Sequence, residues 1–208
     1  MRTAVRASSR DLLGRMSPTT PVEVISAAEV RTPRVTLRPL TEGDRRAFLA
    51  LVGASREHLT PWIPLHRAGE SDDAFFDRQL AGAREGDQTG SAWRRVGVLG
   101  DGVIIGAFNL NAITRGLSWY ADAVWWVGRE HTRLGLASEG VTAMLEYALT
   151  DPPTGLGLHA VHAGIDPENV GSRRLVERLG FREDASQRSD LQVGSEWRSH
   201  DFFVKRAA

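Results

Sequence analysis

Residues 132 to 137, TRLGLA, have the composition and the position of an anion-binding turn. They follow WYADAVWWV, an aromatic and β-branched run typical of a strand, and they precede a segment with apolar residues at helical spacing. A helix that begins directly after a strand offers unpaired backbone N–H groups and the positive end of its dipole to a phosphate. Gly135 leaves room for a phosphate beside the backbone, and Ala137 and Ser138 keep the helix start narrow. We therefore predict a phosphate-binding turn.

The turn differs from two common nucleotide-binding motifs. No Lys-Ser or Lys-Thr pair follows Gly135, which excludes a Walker turn. Only one glycine of the dinucleotide-binding pattern is present, which excludes a Rossmann fingerprint. The ligand class must therefore come from other residues.

A second polar element, IDPENVGSRRLVERLGF at 165 to 181, places Asn169 and Ser172 at the start of another helix. Both residue types are typical of helix caps and first turns. Capping and ligand binding are compatible, so both roles stay open.

Hydrophobic periodicity and turn chemistry predict the elements that position these residues. A strand RVTLRPL is followed by two helices, the second starting at SDD, and then by three antiparallel strands joined at Gly100–Gly102 and Arg115–Gly116. A helix after Gly135, a strand LHAVHAGI, a helix after DPEN and a final strand EWRSHDFFVKR complete the order. This order indicates an α+β fold with a mixed sheet. Residues 1–30 are polar and contain prolines, so we predict a flexible extension before a single domain at 31–208.

Composition excludes several functions. The 26 basic and 26 acidic residues balance, so neither nucleic acid nor an anionic membrane is expected as a partner. The absence of cysteine excludes disulfides, thiolate metal sites and a cysteine nucleophile. His159 and His162 stand at odd separation on one predicted strand and should face opposite sides, so no metal site is predicted. A disulfide-free chain with no apolar run near 18 residues favours the cytoplasm.

The order of elements and the two motifs resemble the GNAT superfamily of acetyl-CoA-dependent N-acetyltransferases, and within it the RimJ/RimL type. TRLGLA matches the superfamily turn Q/R-x-x-G-x-G/A at Gly135 and Ala137, with Thr132 where Gln or Arg is usual and Arg133 where Gly is common. Asn169 and Ser172 match the family's N-x-x-S element. The resemblance covers about residues 34 to 206. It implies a mixed, centrally splayed β-sheet of about six to seven strands flanked by about four helices.

The resemblance also implies a site. Acetyl-CoA is the expected co-substrate, bound by backbone and side chains of Trp126, Val127, Arg133, Leu134, Gly135, Leu136, Ala137, Ser138, Asn169 and Ser172. A bulge is expected in the strand that ends at WWVG, freeing the Val127 N–H for the thioester oxygen. Trp62, Asn109 and Tyr120 are assigned to the acceptor site.

Asp122 and Ser172 are the expected catalytic residues. Asp122 stands where many relatives carry a Glu that accepts the amine proton, and Ser172 where relatives place a Ser near the cofactor sulfur. Deprotonating an α-amine of pKa about 8 at pH 7 costs roughly 1.4 kcal/mol, against roughly 4.6 kcal/mol for a lysine of pKa about 10.4. An aspartate is therefore a better base for a terminal amine than for lysine. Asp122 could instead be a solvated strand residue or an anchor for substrate charge.

The leading hypothesis is acetylation of a primary amine, the N-terminal α-amine of a protein or peptide, by direct attack in a ternary complex. One alternative is a small-molecule amine such as an antibiotic, a polyamine or an amino-acid derivative. An aminoglycoside acceptor would require a carboxylate-rich cleft, for which Glu57, Glu70, Asp72 and Asp73 are candidates. Another alternative is a non-catalytic acyl-CoA-binding module, and a homodimer is left open.

Overall fold

The computed structural model describes residues 23–26, 29–193 and 196–207. Four helices flank one sheet, with two short 3-10 segments at Glu42–Asp44 and Arg129–His131. In chain order, the elements are β1 Glu23–Ser26, β2 Glu29–Arg31, β3 Val35–Arg38, α1 Arg45–Leu59, α2 Asp72–Thr89, β4 Trp93–Leu99, β5 Ile104–Thr114, β6 Tyr120–Val127, α3 Leu136–Leu149, β7 Ala160–Ile165, α4 Val170–Arg178, β8 Arg182–Val193 and β9 Glu196–Arg206.

The strands of the described residues form one nine-stranded sheet in the order β1-β2-β3-β4-β5-β6-β7-β9-β8. All neighbours are antiparallel except β6 and β7. This parallel pair is in register only from Tyr120 opposite Ala160 to Asp122 opposite His162. Beyond Asp122 the two strands separate, which makes the sheet mixed and splayed at its centre, as predicted.

Alternating side chains of the central strands build a core on each face of the sheet. Phe108 and Leu110 of β5 pack with Met144 of α3 on one face. Ala107 of β5 and Trp126 of β6 pack on the other face with residues of α1 and α2. We call this second face the α1/α2 face; it is the face on which Asp122 lies, four residues before Trp126.

All four predicted helices are present, and their ends follow the predicted capping chemistry. The Ser71 Oγ accepts the Ala74 N–H at 3.2 Å at the start of α2, and Gly90, with φ of 68°, ends it. The hairpin at Gly102, with φ of 88°, and the turn at Gly116, with φ of 121°, also form where predicted.

The sheet is wider than predicted. All six strands identified from the sequence are present, and β1, β2 and β8 are additional. β8 has the sequence REDASQRSDLQV, which lacks the apolar alternation by which a strand is recognised. β1 lies within the predicted 1–30 extension and β2 spans its boundary; the two strands pair with each other, and β2 also pairs with β3. The prediction of a flexible extension otherwise concerns residues outside the described ranges.

Candidate active site

The opening between β6 and β7 exposes the backbone of β6. The Gly128 N–H donates to the Ile105 carbonyl of β5 at 2.8 Å, so the next residue back, Val127, turns its N–H away from β5. Val127 lies beyond the last β6–β7 pair, so its N–H points into the opening. It is thus a donor directed at the split in the sheet.

The bulge predicted in β6 is wrong. β5 and β6 pair without interruption from Gly106 opposite Val127 to Asn111 opposite Asp122. The register shift lies instead at the other end of β5, between Asn111 and Thr114. The Val127 N–H is free without a bulge, because β7 has already separated from β6 at this position.

The predicted phosphate turn connects β6 to α3, and the sign of φ alternates along it. Arg133 has φ of 61° and Gly135 has φ of 78°, while Leu134 between them does not have a positive φ. Such alternation turns successive N–H groups toward one concave side. The first helical hydrogen bond runs from Glu139 N–H to Gly135 C=O, so the N–H groups of residues 136–138 have no partner within the helix. With φ of 61°, Arg133 has a left-handed backbone conformation that glycine adopts more readily.

Arg34 and Glu139 brace this turn, and the sequence reasoning missed both. The Arg34 guanidinium donates to the Leu134 carbonyl at 3.0 Å and to the Glu139 carboxylate at 2.6 Å. The buried Glu139 also accepts the Thr32 hydroxyl at 2.5 Å. Burial raises the pKa of Glu139, but the hydrogen bonds from Thr32 and Arg34 outweigh it, and the net pKa is lowered. Arg34 and Glu139 are far apart in sequence, so no local pattern indicates the contact.

Asn169 and Ser172 stand at the start of α4. The Asn169 side-chain oxygen accepts the Ser172 N–H at 3.0 Å, so Asn169 is a helix cap. Because β6 and β7 are parallel, α3 and α4 both begin at the edge where these strands have separated. The two helix starts therefore flank the mouth of the opening.

Asp122 lies at the inner end of the opening, beside a histidine that was not assigned to the site. Its carboxylate is 3.8 Å from His162 Nδ1 on β7, and 50% of its side chain is exposed. The His162 ring stacks on Tyr120 with a centroid distance of 4.8 Å. Burial raises the pKa of Asp122, partly offset by His162. Burial lowers the pKa of His162, opposed by Asp122, so both groups are driven toward their neutral forms.

A cavity of about 290 Å³ opens on the α1/α2 face beside the splayed strand. Asn109, assigned to the acceptor site, and Trp126, assigned to the cofactor site, both line it, as do Arg94 and Gln79. Apart from Arg95, the remaining lining is apolar, from Leu40, Phe48, Ile63, Pro64, Leu65, Phe75, Ala83, Val96, Ala107 and Val124.

Two of the three residues assigned to the acceptor site do not line this cavity. Trp62 does not line this cavity, although Ile63 directly after it does. Tyr120 lines a second cavity of about 610 Å³, at the opposite end of β6 from the splay. The sequence shows that Trp62 lies in a proline-containing loop and that Tyr120 lies on a strand. It does not show into which cavity either side chain points.

The acids proposed for a cationic acceptor do not line the cavity. Glu70 is bound by Arg78 at 2.7 Å, and Asp72 is in contact with Arg56 at 3.2 Å. Asp73 lies 3.2 Å from Arg45, and Glu57 is exposed. A carboxylate-rich cleft of the kind an aminoglycoside requires is therefore absent from this cavity.

His159 and His162 line the same second cavity rather than opposite faces. His159 precedes the first residue of β7, so strand alternation does not apply to it. Over the described ranges, no three His, Asp or Glu side chains are grouped as metal ligands would be. No helix in the described part of the chain has both the length and the apolar character needed to cross a bilayer.

The split between β6 and β7, the turn at 133–135 at its mouth and the helices around the sheet agree with the fold that the sequence resemblance implies. The family model described as acetyltransferase (GNAT) domain matches residues 34–182. The chain belongs to the GNAT acetyltransferase family.

Individual relatives agree with this assignment. Over 178 residues, the chain is 24% identical to ribosomal protein uS5-alanine N-acetyltransferase of Escherichia coli strain K12, covering 85% of this chain and 89% of the relative. It is 30% identical over 100 residues to the probable N-acetyltransferase YjcK of Bacillus subtilis strain 168, covering 48% of this chain and only 53% of that relative. The structure of Mycobacterium smegmatis RimJ in complex with CoA-disulfide matches with a TM-score of 0.74 and 26% identity, covering 90% of this chain and 87% of that chain. The predicted RimJ/RimL resemblance is confirmed.

Proposed function

We propose that this protein transfers the acetyl group of acetyl-CoA to a primary amine, the N-terminal α-amine of a protein or peptide. One observation carries the proposal: the Val127 N–H, the phosphate turn and Asp122 all border the same opening in the sheet. The names of the relatives agree, since one acetylates the alanine of a ribosomal protein and another binds a CoA derivative.

The residues at the opening fit a CoA-type ligand. The concave N–H groups after Arg133 and the start of α3 suit a pyrophosphate, because backbone donors and a helix N-terminus stabilise negative charge. Leu134, Gly135, Leu136, Ala137 and Ser138 would hold that group, and Asn169 and Ser172 would border the thiol-bearing arm. When bound, acetyl-CoA supplies a thioester whose carbonyl carbon an amine can attack.

The chain's own groups would then promote direct transfer. The Val127 N–H would donate to the carbonyl oxygen, where negative charge grows as the amine nitrogen bonds to the carbon. Asp122 would take the proton that the attacking amine loses. Ser172 would give a proton to the departing thiolate as the carbon–sulfur bond breaks. No cysteine exists to carry an acetyl group, so transfer needs only the ternary complex.

The test measures CoA thiol release with peptides that present only one kind of amine. One peptide has a free N-terminus and no lysine, and its partner has a blocked N-terminus and one lysine. We expect release with the first peptide and much less with the second, and mass spectrometry should find one acetyl group at the α-amine. Equal rates, or transfer only to the lysine, would contradict the assignment of the acceptor.

A further inference from the structure

The cavity on the α1/α2 face holds a cation whose charge is not matched by a carboxylate. Arg94 of β4 lines the cavity and is half-buried. Among the described residues it forms no salt bridge, whereas its neighbour Arg95 pairs with Asp87 at 3.0 Å. Arg94 is instead bonded to a neutral side chain, because its Nε donates to Asn111 Oδ1 at 2.9 Å. A guanidinium has five N–H donors, so most of them remain for a ligand.

A glycine in the middle of α2 makes room for this guanidinium. A Cβ on Gly82 would lie 2.3 Å from Arg94 Nη1, which is too close for the guanidinium to keep its position. Glycine in a helix interior costs roughly 0.5–1 kcal/mol relative to alanine. α2 thus carries a helix-destabilising residue at a position where a methyl group would displace the Arg94 guanidinium.

The residues around Arg94 indicate the chemistry of the rest of the ligand. Ile63, Leu65, Phe75 and Val124 make most of the wall apolar, while Gln79 and Asn109 add neutral polar groups. Arg94 pairs with Asn109 across β4 and β5, and Asn109 pairs with Val124 across β5 and β6. Two interstrand spacings, roughly 10 Å, therefore separate the backbone of Arg94 from that of β6 at the opening.

We propose that Arg94 selects acceptors that carry a carboxylate within about 10 Å of the reactive amine. This inference rests on the proposed function and names its substrate class. The carboxylate binds the free N–H groups of Arg94, and the apolar wall contacts the part of the acceptor between the two charged groups. An acidic side chain near a peptide N-terminus and the α-carboxylate of a free amino acid share this chemistry.

The test compares acceptors that differ in one charge. Two C-terminally amidated peptides have the same N-terminal residue and either Glu or Gln in the second position, and an amino acid is compared with its amide. For wild-type protein we expect kcat/KM to be about tenfold higher for the Glu peptide than for the Gln peptide. A larger preference for the amino acid over its amide would identify the α-carboxylate as the group that Arg94 binds.

Three variants locate the preference. Arg94→Gln should make the two peptides equal, while Arg84→Gln, the same change at an exposed position of α2, should keep the preference. Gly82→Ala should reduce the preference by displacing the guanidinium, without lowering the melting temperature. In an Arg94→Gln background, Gly82→Ala should have no further effect on the preference.

The outcomes separate this inference from the proposed function. Equal kcat/KM for both members of each wild-type pair, or a preference that survives Arg94→Gln, would overturn the role of Arg94 alone. Failure to acetylate any α-amine would overturn the proposed function as well.

Discussion

The two sides of the split sheet are built in different ways. On the side proposed to bind the cofactor, the groups available to a ligand belong to the backbone, between Arg133 and Ser138 and at Val127. On the side proposed to bind the acceptor, they are side chains from α1, α2, β4, β5, β6 and the loop after α1. The first kind of site is encoded in a few adjacent residues, and the second depends on the whole packing arrangement. The following predictions test that contrast.

The largest expected effect is on kcat, and it concerns Asp122, which lies between the two proposed binding sides. Asp122→Asn should lower kcat about 100-fold for an α-amine acceptor, because the amide cannot accept the proton. The KM for acetyl-CoA should stay unchanged. Burial raises the pKa of Asp122, so the acidic limb of the wild-type kcat profile should lie above the ordinary aspartate range. A variant with unchanged kcat and the same limb would show that Asp122 is only a solvated strand residue.

A negative charge at the start of α3 should weaken acetyl-CoA binding without destabilising the fold. Ser138→Glu places a carboxylate among the first-turn N–H groups of α3, where it stabilises the helix but repels a phosphate. We expect acetyl-CoA affinity, measured by calorimetry, to fall about 100-fold. Thr142→Glu, one turn further along the same helix, is the matched control and should bind nearly normally. Equal losses in both variants would argue against a phosphate at the turn.

Glu139 should link the stability of the turn to pH. Folding lowers the pKa of Glu139 from its ordinary value of 4.5. The ionised Glu139 therefore adds to the free energy of unfolding at pH values above 4.5. This contribution is lost as the pH falls through the lowered pKa of the folded protein. Glu139→Gln should cost roughly 1–3 kcal/mol at pH 7 in urea unfolding, and less in acid.

Glu146 on the same helix provides the control of opposite sign. Burial raises its pKa, so Glu146→Gln should be neutral or stabilising at pH 7. Similar destabilisation by both substitutions would contradict the bracing role of Glu139.

The smallest effect concerns the backbone conformation of the turn itself. Gly135→Ala should destabilise the protein by roughly 1–2 kcal/mol, because φ of 78° is costly for a residue with a side chain. Gly53→Ala in α1 meets no atom within 4 Å and should instead stabilise, as measured by thermal melting. Stabilisation by both changes would mean that residue 135 does not need its left-handed conformation.

The same contrast explains what could be predicted from the sequence. The turn at Gly135, the cap at Asn169 and all four helices follow from local chemistry, and each is present. β8 was missed because its sequence lacks the alternation that marks a half-buried strand.

Contacts made across the fold could not be predicted. Arg34 reaches Leu134 and Glu139, and Asp122 meets His162, only because strands and helices distant in sequence come together. For the same reason, the sequence could not predict that Trp62 and Tyr120, which were assigned to the acceptor site, do not line the cavity on the α1/α2 face.

The most direct test of the central claim is the change in melting temperature on adding acetyl-CoA, with Ser138→Glu beside the wild type. Ligand at 100 times its Kd should add about 2.7 kcal/mol, which for a chain of this size is a rise of roughly 5 to 10 °C. The variant should rise much less at the same concentration. No rise in the wild type would contradict the assignment of the opening between β6 and β7 as an acyl-CoA site.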